Sequence, residues 1–294
     1  MKAPFGEVLT AMITPFTDSG EVDYDKVWRL ARFLVDNGSD GLVVTGTTGE
    51  APVLTADEKV AIYRAVVEAV GDRATVVAGT GTYNTAESVE LSLRAADAGA
   101  HAVMAVTPYY SKPDQNGLIR HFSTIADATD LPVLLYNIPG RSARLIEVDT
   151  LVRLSAHPNI VAVKDAVMDI DHTATARLAL HPDFAIYSGQ DSYTLAMMVV
   201  GAIGVVSVAS HLVGRQIKRM VRAAHDGDWA EAQRLNFGLL PVFYSCFTEP
   251  SPMPVKGAMS RMWEPVGDPR APLVPAAAAT IDAIELAVGE AQSL

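Results

Sequence analysis

Ile160-Val161-Ala162-Val163-Lys164-Asp165 is an uninterrupted β-branched and apolar run that ends on a cation. Continuous apolar character without in/out alternation is the pattern of a parallel strand covered on both faces. A lysine at the end of such a strand either snorkels into water or is held inside. If it is held inside, burial destabilises the ammonium, its pKa falls from about 10.4 toward neutrality, and the free amine becomes a nucleophile for ketones.

Seven further apolar runs resemble this one, at residues 8–14, 41–45, 74–78, 102–107, 132–137, 185–188 and 204–209, besides 160–164 itself. Amphipathic segments of helical length lie between them. In residues 25–38, Val27, Leu30, Ala31, Leu34 and Val35 form one stripe and Gly38 offers a C-terminal cap. Thr55 and Asn84 each stand three residues before a glutamate, Glu58 and Glu87, which predicts a capping box at both helix starts. Eight alternations of strand and helix predict a (β/α)8 TIM barrel over residues 1–227, with an open doubly wound sheet as the competing α/β arrangement. After residue 228 the strand signal stops, and 230–240, 254–262 and 275–289 read as a C-terminal helical extension over 228–294.

The 294 residues are 49% hydrophobic, enough for one large α/β barrel core. A formal charge of −11 argues against nucleic acid or an anionic membrane as partner. Cys246 is the only cysteine, so no intrachain disulfide and no Cys-rich metal site is expected; the seven histidines show no ligand spacing. This composition and an N-terminus without the pattern of a secretory signal lead to a cytoplasmic expectation. Residues 192–214 carry no formally charged residue and are long enough for a membrane span, but Gly201 and Gly204 divide them into a buried helix, a turn and a buried strand.

In a barrel of this kind the active site lies at the C-terminal strand ends. Five of them carry polar or glycine-rich chemistry: Thr45-Gly46-Thr47-Thr48-Gly49-Glu50, Thr107-Pro108-Tyr109-Tyr110, Tyr136-Asn137-Ile138-Pro139, Lys164-Asp165 and Ser188-Gly189-Gln190-Asp191. Each has an ordinary structural reading: glycines in a strand-to-helix turn, a tyrosine capping the core, a tyrosine pair at an interface. Together they suit aldolase chemistry. An amine forms the imine, hydroxyls move protons, and hydroxyl and backbone N–H groups hold a carboxylate, with Lys164, Tyr136, Thr47 and Thr48 as the candidates. A tyrosine of pKa about 10 is a poor base alone, so a relay through Thr47 to a second tyrosine is expected. The loop at 46–49 lacks both the lysine of a phosphate-binding P-loop and the spaced glycines of a dinucleotide site.

Several motifs in order make the chain resemble the pyruvate-dependent class I aldolase and lyase family. These are GTTGE ending at Glu50, TPYY at 107–110, YNIPGR at 136–141, the Lys164 strand, SGQD at 188–191, GVVS at 204–207 and SPMPVK at 251–256. The resemblance spans essentially the whole chain and is strongest to the members that condense pyruvate with L-aspartate 4-semialdehyde. It implies that Lys164 forms a Schiff base with pyruvate, that no cofactor beyond this covalent imine is needed, and that Tyr136 donates and accepts protons. Thr47 and Tyr110 would complete the relay, Tyr110 from a neighbouring subunit of a homotetramer built as a dimer of dimers. Thr48 and the backbone of Val206 would hold pyruvate, with Gly189 also at the substrate, and Arg141 would take the carboxylate of the semialdehyde. N-acetylneuraminate lyase and 2-keto-3-deoxy sugar acid aldolases are the competing activities. They generally lack an arginine at the position of Arg141.

Two departures from the family pattern stand where feedback-sensitive members bind lysine. Tyr83 replaces an asparagine and Lys59 a histidine, while Glu87 and Tyr109 match. Added bulk and positive charge predict weak or absent inhibition by lysine. Ala143 also stands where a glycine is common after the arginine turn.

Overall fold

All eight apolar runs are strands in the computed structural model, which describes residues 3–294. Met1 and Lys2, with which the reading of the N-terminus began, lie outside the described residues. The strands are β1 (Val8–Ala11), β2 (Gly41–Val44), β3 (Thr75–Gly79), β4 (Ala102–Val106), β5 (Val133–Asn137), β6 (Ile160–Asp165), β7 (Ala185–Ser188) and β8 (Gly204–Ser207). Each pairs in parallel with the next, and β8 pairs back onto β1 through Leu9 and Val206. That last pairing closes the barrel and removes the open-sheet alternative.

Strand periodicity then sorts the side chains. Leu9, Val43, Val77, Leu134, Ala162 and Val206 fill the barrel interior, whereas their neighbours Val44, Val76, Leu135 and Val163 pack outward against the helices. Tyr136 and Lys164 stand two residues beyond Leu134 and Ala162, so both are carried to the inward side, and they are partners in the β5–β6 register. The N-terminal end of the barrel is plugged by Phe5 stacked on Tyr187 at 6.2 Å, with the Tyr187 hydroxyl donating to the Gly6 carbonyl at 2.9 Å.

Two strands stop more than one residue short of their apolar runs. Past Ala11, Ile13 N–H donates to His211 Nε2 (3.1 Å) and leaves the ladder. Past Ser207, the N–H groups of Val208 and Ala209 donate to Asp191 Oδ2 at 3.0 and 3.1 Å, which turns the chain into helix Ser210–His225. β6 is one residue longer, because Asp165 pairs with Asn137 and Ser188.

Helix ends follow local chemistry. Thr55 and Glu58 form the reciprocal capping box, but Asn84 caps its helix alone. Glu87 accepts instead from the Thr82 hydroxyl at 3.2 Å, so the second box is one-sided. Helix Tyr24–Asp36 ends at Asn37, followed by Gly38 at φ +107°, where a Cβ would meet the Gly214 carbonyl oxygen at 3.0 Å. The run 192–214 contains helix Thr194–Val199 and β8, and no helix among the described residues is long and apolar enough to cross a membrane.

After helix Ser210–His225 come helices Trp229–Ser245, Met253–Met262 and Ala278–Ala291. The first runs through Pro241, where the sequence suggested a stop at 240. An interior proline costs about 3 kcal/mol, but Val242 and Phe243 beyond it are fully buried and offset that loss. Leu235, Leu239, Val242, Ile284 and Val288 share one core with Val8 and Val205 of the barrel and with Val213 and Ile217. Helices Trp229–Ser245 and Ala278–Ala291 therefore share one apolar core with the β8–β1 seam of the barrel, while Val255 and Met259 of Met253–Met262 join the larger core.

Candidate active site

Lys164 does not snorkel. It is 5% exposed, and its Nζ lies 4.1 Å from the centre of the Tyr136 ring. Burial brings its pKa down to about 7, with the Asp191 charge pulling it up and the Arg141 charge pushing it further down. A sizeable share of the free amine therefore exists near neutrality. Asp165, the next residue, accepts from the Thr173 hydroxyl at 3.0 Å and from Val167 N–H at 3.2 Å, which ties the end of β6 to the helix that follows.

Asp191 was quoted in a motif but given no role by the sequence reading. It is buried, its Oδ2 takes the two N–H bonds after β8, and its Oδ1 has no hydrogen-bond partner among the described residues. Burial raises its pKa, while Ser207, the two backbone donors and Lys164 oppose the rise. It is the buried carboxyl whose field reaches the Lys164 amine.

Tyr136 is anchored through its backbone. Its carbonyl accepts from both the N–H and the hydroxyl of Thr107 at 2.9 Å. Burial pushes its phenol up to about 12, offset in part by the Arg141 charge and the Thr47 side chain. Next to it, Asn137 clasps Ile146 by donating to its carbonyl (3.2 Å) and accepting from its N–H (3.0 Å), and so fixes the intervening loop. That loop contains the one-turn helix Pro139–Ser142, which carries Arg141.

Ala143 ends this turn in the left-handed region, at φ 54°. The common glycine there avoids a steric cost of about 1–2 kcal/mol, against which the larger unfolded-state entropy of glycine counts by about 0.4–1 kcal/mol. Ala143→Gly is accordingly expected to stabilise the fold by roughly 0.5–1 kcal/mol. Urea melts of the two proteins check this, and a lower midpoint for the glycine variant would contradict it.

Thr47, Tyr136 and Arg141 come together in the wall of one cavity of about 210 Å³, joined there by Tyr109. Lys164 lies against Tyr136, and Thr48, Val206 and Gly189 are outside the lining. Thr48 is buried on the same loop as Thr47, and Val206 faces the barrel interior. Gly189 N–H donates to the Asp165 carbonyl at 2.7 Å, and a Cβ on it would stand 2.7 Å from the Ala166 Cβ. Close packing against Ala166 requires a glycine here. Tyr110 is 93% exposed, at φ 67°, and is not part of the cavity wall that holds Thr47. Tyr109 instead packs edge-to-face on Tyr83 at 5.3 Å. Nearby, Lys59 is buried, its pKa lowered by burial and pulled back by the Glu87 charge.

The fold and this constellation define a class: a (β/α)8 barrel enzyme with a buried amine and a phenol at the C-terminal ends of adjacent strands. The profile of the dihydrodipicolinate synthetase family matches residues 4–291, and the chain belongs to that family. It is 50% identical over 276 residues to a 4-hydroxy-tetrahydrodipicolinate synthase of Synechococcus elongatus, covering 94% of this chain and 92% of that protein. A crystal structure of dihydrodipicolinate synthase from Bacillus anthracis superposes with a TM-score of 0.94 at 46% identity, over 99% of this chain and 98% of that one. Another, from Cyanidioschyzon merolae with lysine bound, superposes with a TM-score of 0.97 at 41% identity over 100% of both chains.

Proposed function

We propose that this chain is a lyase that condenses pyruvate with L-aspartate 4-semialdehyde to give 4-hydroxy-tetrahydrodipicolinate, the first committed step of diaminopimelate and lysine biosynthesis. The observation that carries the proposal is the Lys164 amine, buried against Tyr136 beside a cavity that Arg141 enters. In this reading the neutral amine attacks the keto carbon of pyruvate, water leaves, and an imine forms with no other cofactor. Loss of a methyl proton gives the enamine, whose carbon attacks the semialdehyde carbonyl. The amino group of the semialdehyde then adds to the imine carbon and displaces Lys164, closing the ring.

Each site residue has a part in that sequence. Tyr136 gives and takes the protons; because burial holds its phenol near 12, it needs a relay, for which Thr47 is adjacent and Tyr110 comes from a neighbouring subunit. The full exposure of Tyr110 supports its use outside its own chain and, with it, a homotetramer made of two dimers. Thr48 and the backbone of Val206 hold the pyruvate carboxylate, Gly189 keeps β7 close to the substrate, and Arg141 binds the carboxylate of the semialdehyde. We place the protein in the cytoplasm.

The reaction is tested by supplying pyruvate with borohydride and, separately, pyruvate with L-aspartate 4-semialdehyde. The expected results are a covalent pyruvate adduct on Lys164 and consumption of the semialdehyde. No adduct would overturn the imine, while an adduct with cleavage of a sugar acid and no use of the semialdehyde would favour the sister lyases. Inhibition by lysine is expected to be weak or absent, since the Lys59 charge is already felt by Glu87, and Tyr83, packed edge-to-face on Tyr109, adds bulk there. A steady-state inhibition constant well below millimolar would contradict this.

A further inference from the structure

The most deeply buried ion pair among the described residues joins the GTTGE loop to the C-terminal extension. Lys256 Nζ and Glu50 Oε1 are 2.7 Å apart, and each side chain is 1% exposed. Lys256 also donates to the Asp268 carbonyl (3.2 Å) and lies 3.9 Å from the centre of the Phe16 ring. The second oxygen of Glu50 accepts from Arg270 N–H at 2.8 Å. The Arg270 guanidinium donates to the carbonyls of Gly20 and Val53, both at 2.9 Å, and pairs with Glu58. Both carboxylate oxygens of Glu50 are thus engaged by one distant segment, residues 256–270.

Glu50 is the last residue of the loop that carries Thr47 and Thr48. Its N–H donates to the Thr47 carbonyl at 3.1 Å, and the Thr14 hydroxyl holds the Gly49 carbonyl at 2.7 Å. Thr45 and Glu50, at the two ends of the loop, both stand in the left-handed region, at φ 52° and 60°. Non-glycine residues keep that conformation only where their surroundings over-determine it. A buried ion pair is a poor source of stability, because apolar replacements of similar volume are often as good, but it is directional. Here its direction sets where the loop can sit.

We propose that Glu50 and Lys256 are positioning residues for the pyruvate half of the reaction: their buried pair, with the Arg270 N–H, locks loop 45–50, which carries Thr48, in the strained geometry that presents Thr47 beside Tyr136. The inference rests on the function proposed above. It gives a task to Lys256, the last residue of the SPMPVK motif.

The test compares the parent with Glu50→Gln/Lys256→Met, which removes both charges while nearly conserving volume, and with Glu50→Asp, which keeps the charge but shortens its reach. The measurements are urea midpoint, KM for each substrate and the rate of borohydride-trapped adduct at Lys164. The double variant is expected to keep a midpoint near the parent's, yet to show a pyruvate KM at least about ten-fold higher and slower trapping, with the semialdehyde KM nearly unchanged because Arg141 lies on another loop. Glu50→Asp is expected to shift pyruvate KM in the same direction, and it decides the matter if the double variant does not fold. Parent-like pyruvate KM and trapping in either folded variant would overturn the positioning role and leave a purely structural pair. Failure of the parent itself to trap pyruvate would instead remove the proposed function, and the inference with it.

Discussion

Lys164→Met is expected to lower kcat/KM by roughly three orders of magnitude or more, since no other group can supply the imine, and at the same time to make the fold more stable at low pH. The second effect follows from linkage. The amine titrates near 7 in the folded chain and near 10.5 in the unfolded one. Below pH 7 both states are protonated, and the folded state bears the whole cost of a buried ammonium, a few kcal/mol by the size of the shift. Between about 7 and 10.5 the unfolded chain binds more protons, so the parent gains stability as pH rises. Methionine fills nearly the same volume and has no such cost. Urea melts at pH 6 and pH 9.5 should therefore show the variant ahead by a margin that narrows with pH. A parent as stable as the variant at pH 6 would mean that Lys164 reaches solvent. The same protonation predicts that trapping of pyruvate by the parent slows as pH falls below about 7.

The parts of this site that could be read from sequence are those whose signal is local. Eight apolar runs, a capping side chain before each of several helices, and a lysine at the end of a buried strand are properties of a few consecutive residues. The placement of Tyr136 and Lys164 on one side of the barrel wall follows from strand periodicity once the register is known. What could not be read depends on groups far apart in the chain. Lys256 meets Glu50 across 206 residues, and neither the GTTGE loop nor SPMPVK contains any sign of the other. Asp191 ends β8 early by taking the N–H groups of Val208 and Ala209, a competition that apolar periodicity cannot register. Glu87 leaves its predicted box for Thr82, and helix Trp229–Ser245 crosses Pro241, because tertiary contacts outweigh local preference in both places.

Tyr136→Phe separates the chemical task of this residue from its packing. The ring stays against the Lys164 amine, so the burial that lowers the lysine pKa is retained, and stability should change little. What is lost is the hydroxyl, a titratable group of the cavity wall that interacts with the Thr47 side chain while its ring lies against the Lys164 amine. A positioned acid and base contributes about 10² to 10⁴ in rate, and a loss of that size in kcat is expected, with pyruvate KM altered far less. Because the amine itself is intact, borohydride should still trap pyruvate on Lys164, but slowly, since imine formation must expel water without the phenol. Thr47→Val cuts the relay one step further out, and the same rate-limiting proton then has to leave Tyr136 by another path. Combining the two substitutions should accordingly cost little more than Tyr136→Phe alone, because both act on one chain of proton transfer. Fully additive losses would show that Thr47 serves the substrate directly rather than through Tyr136.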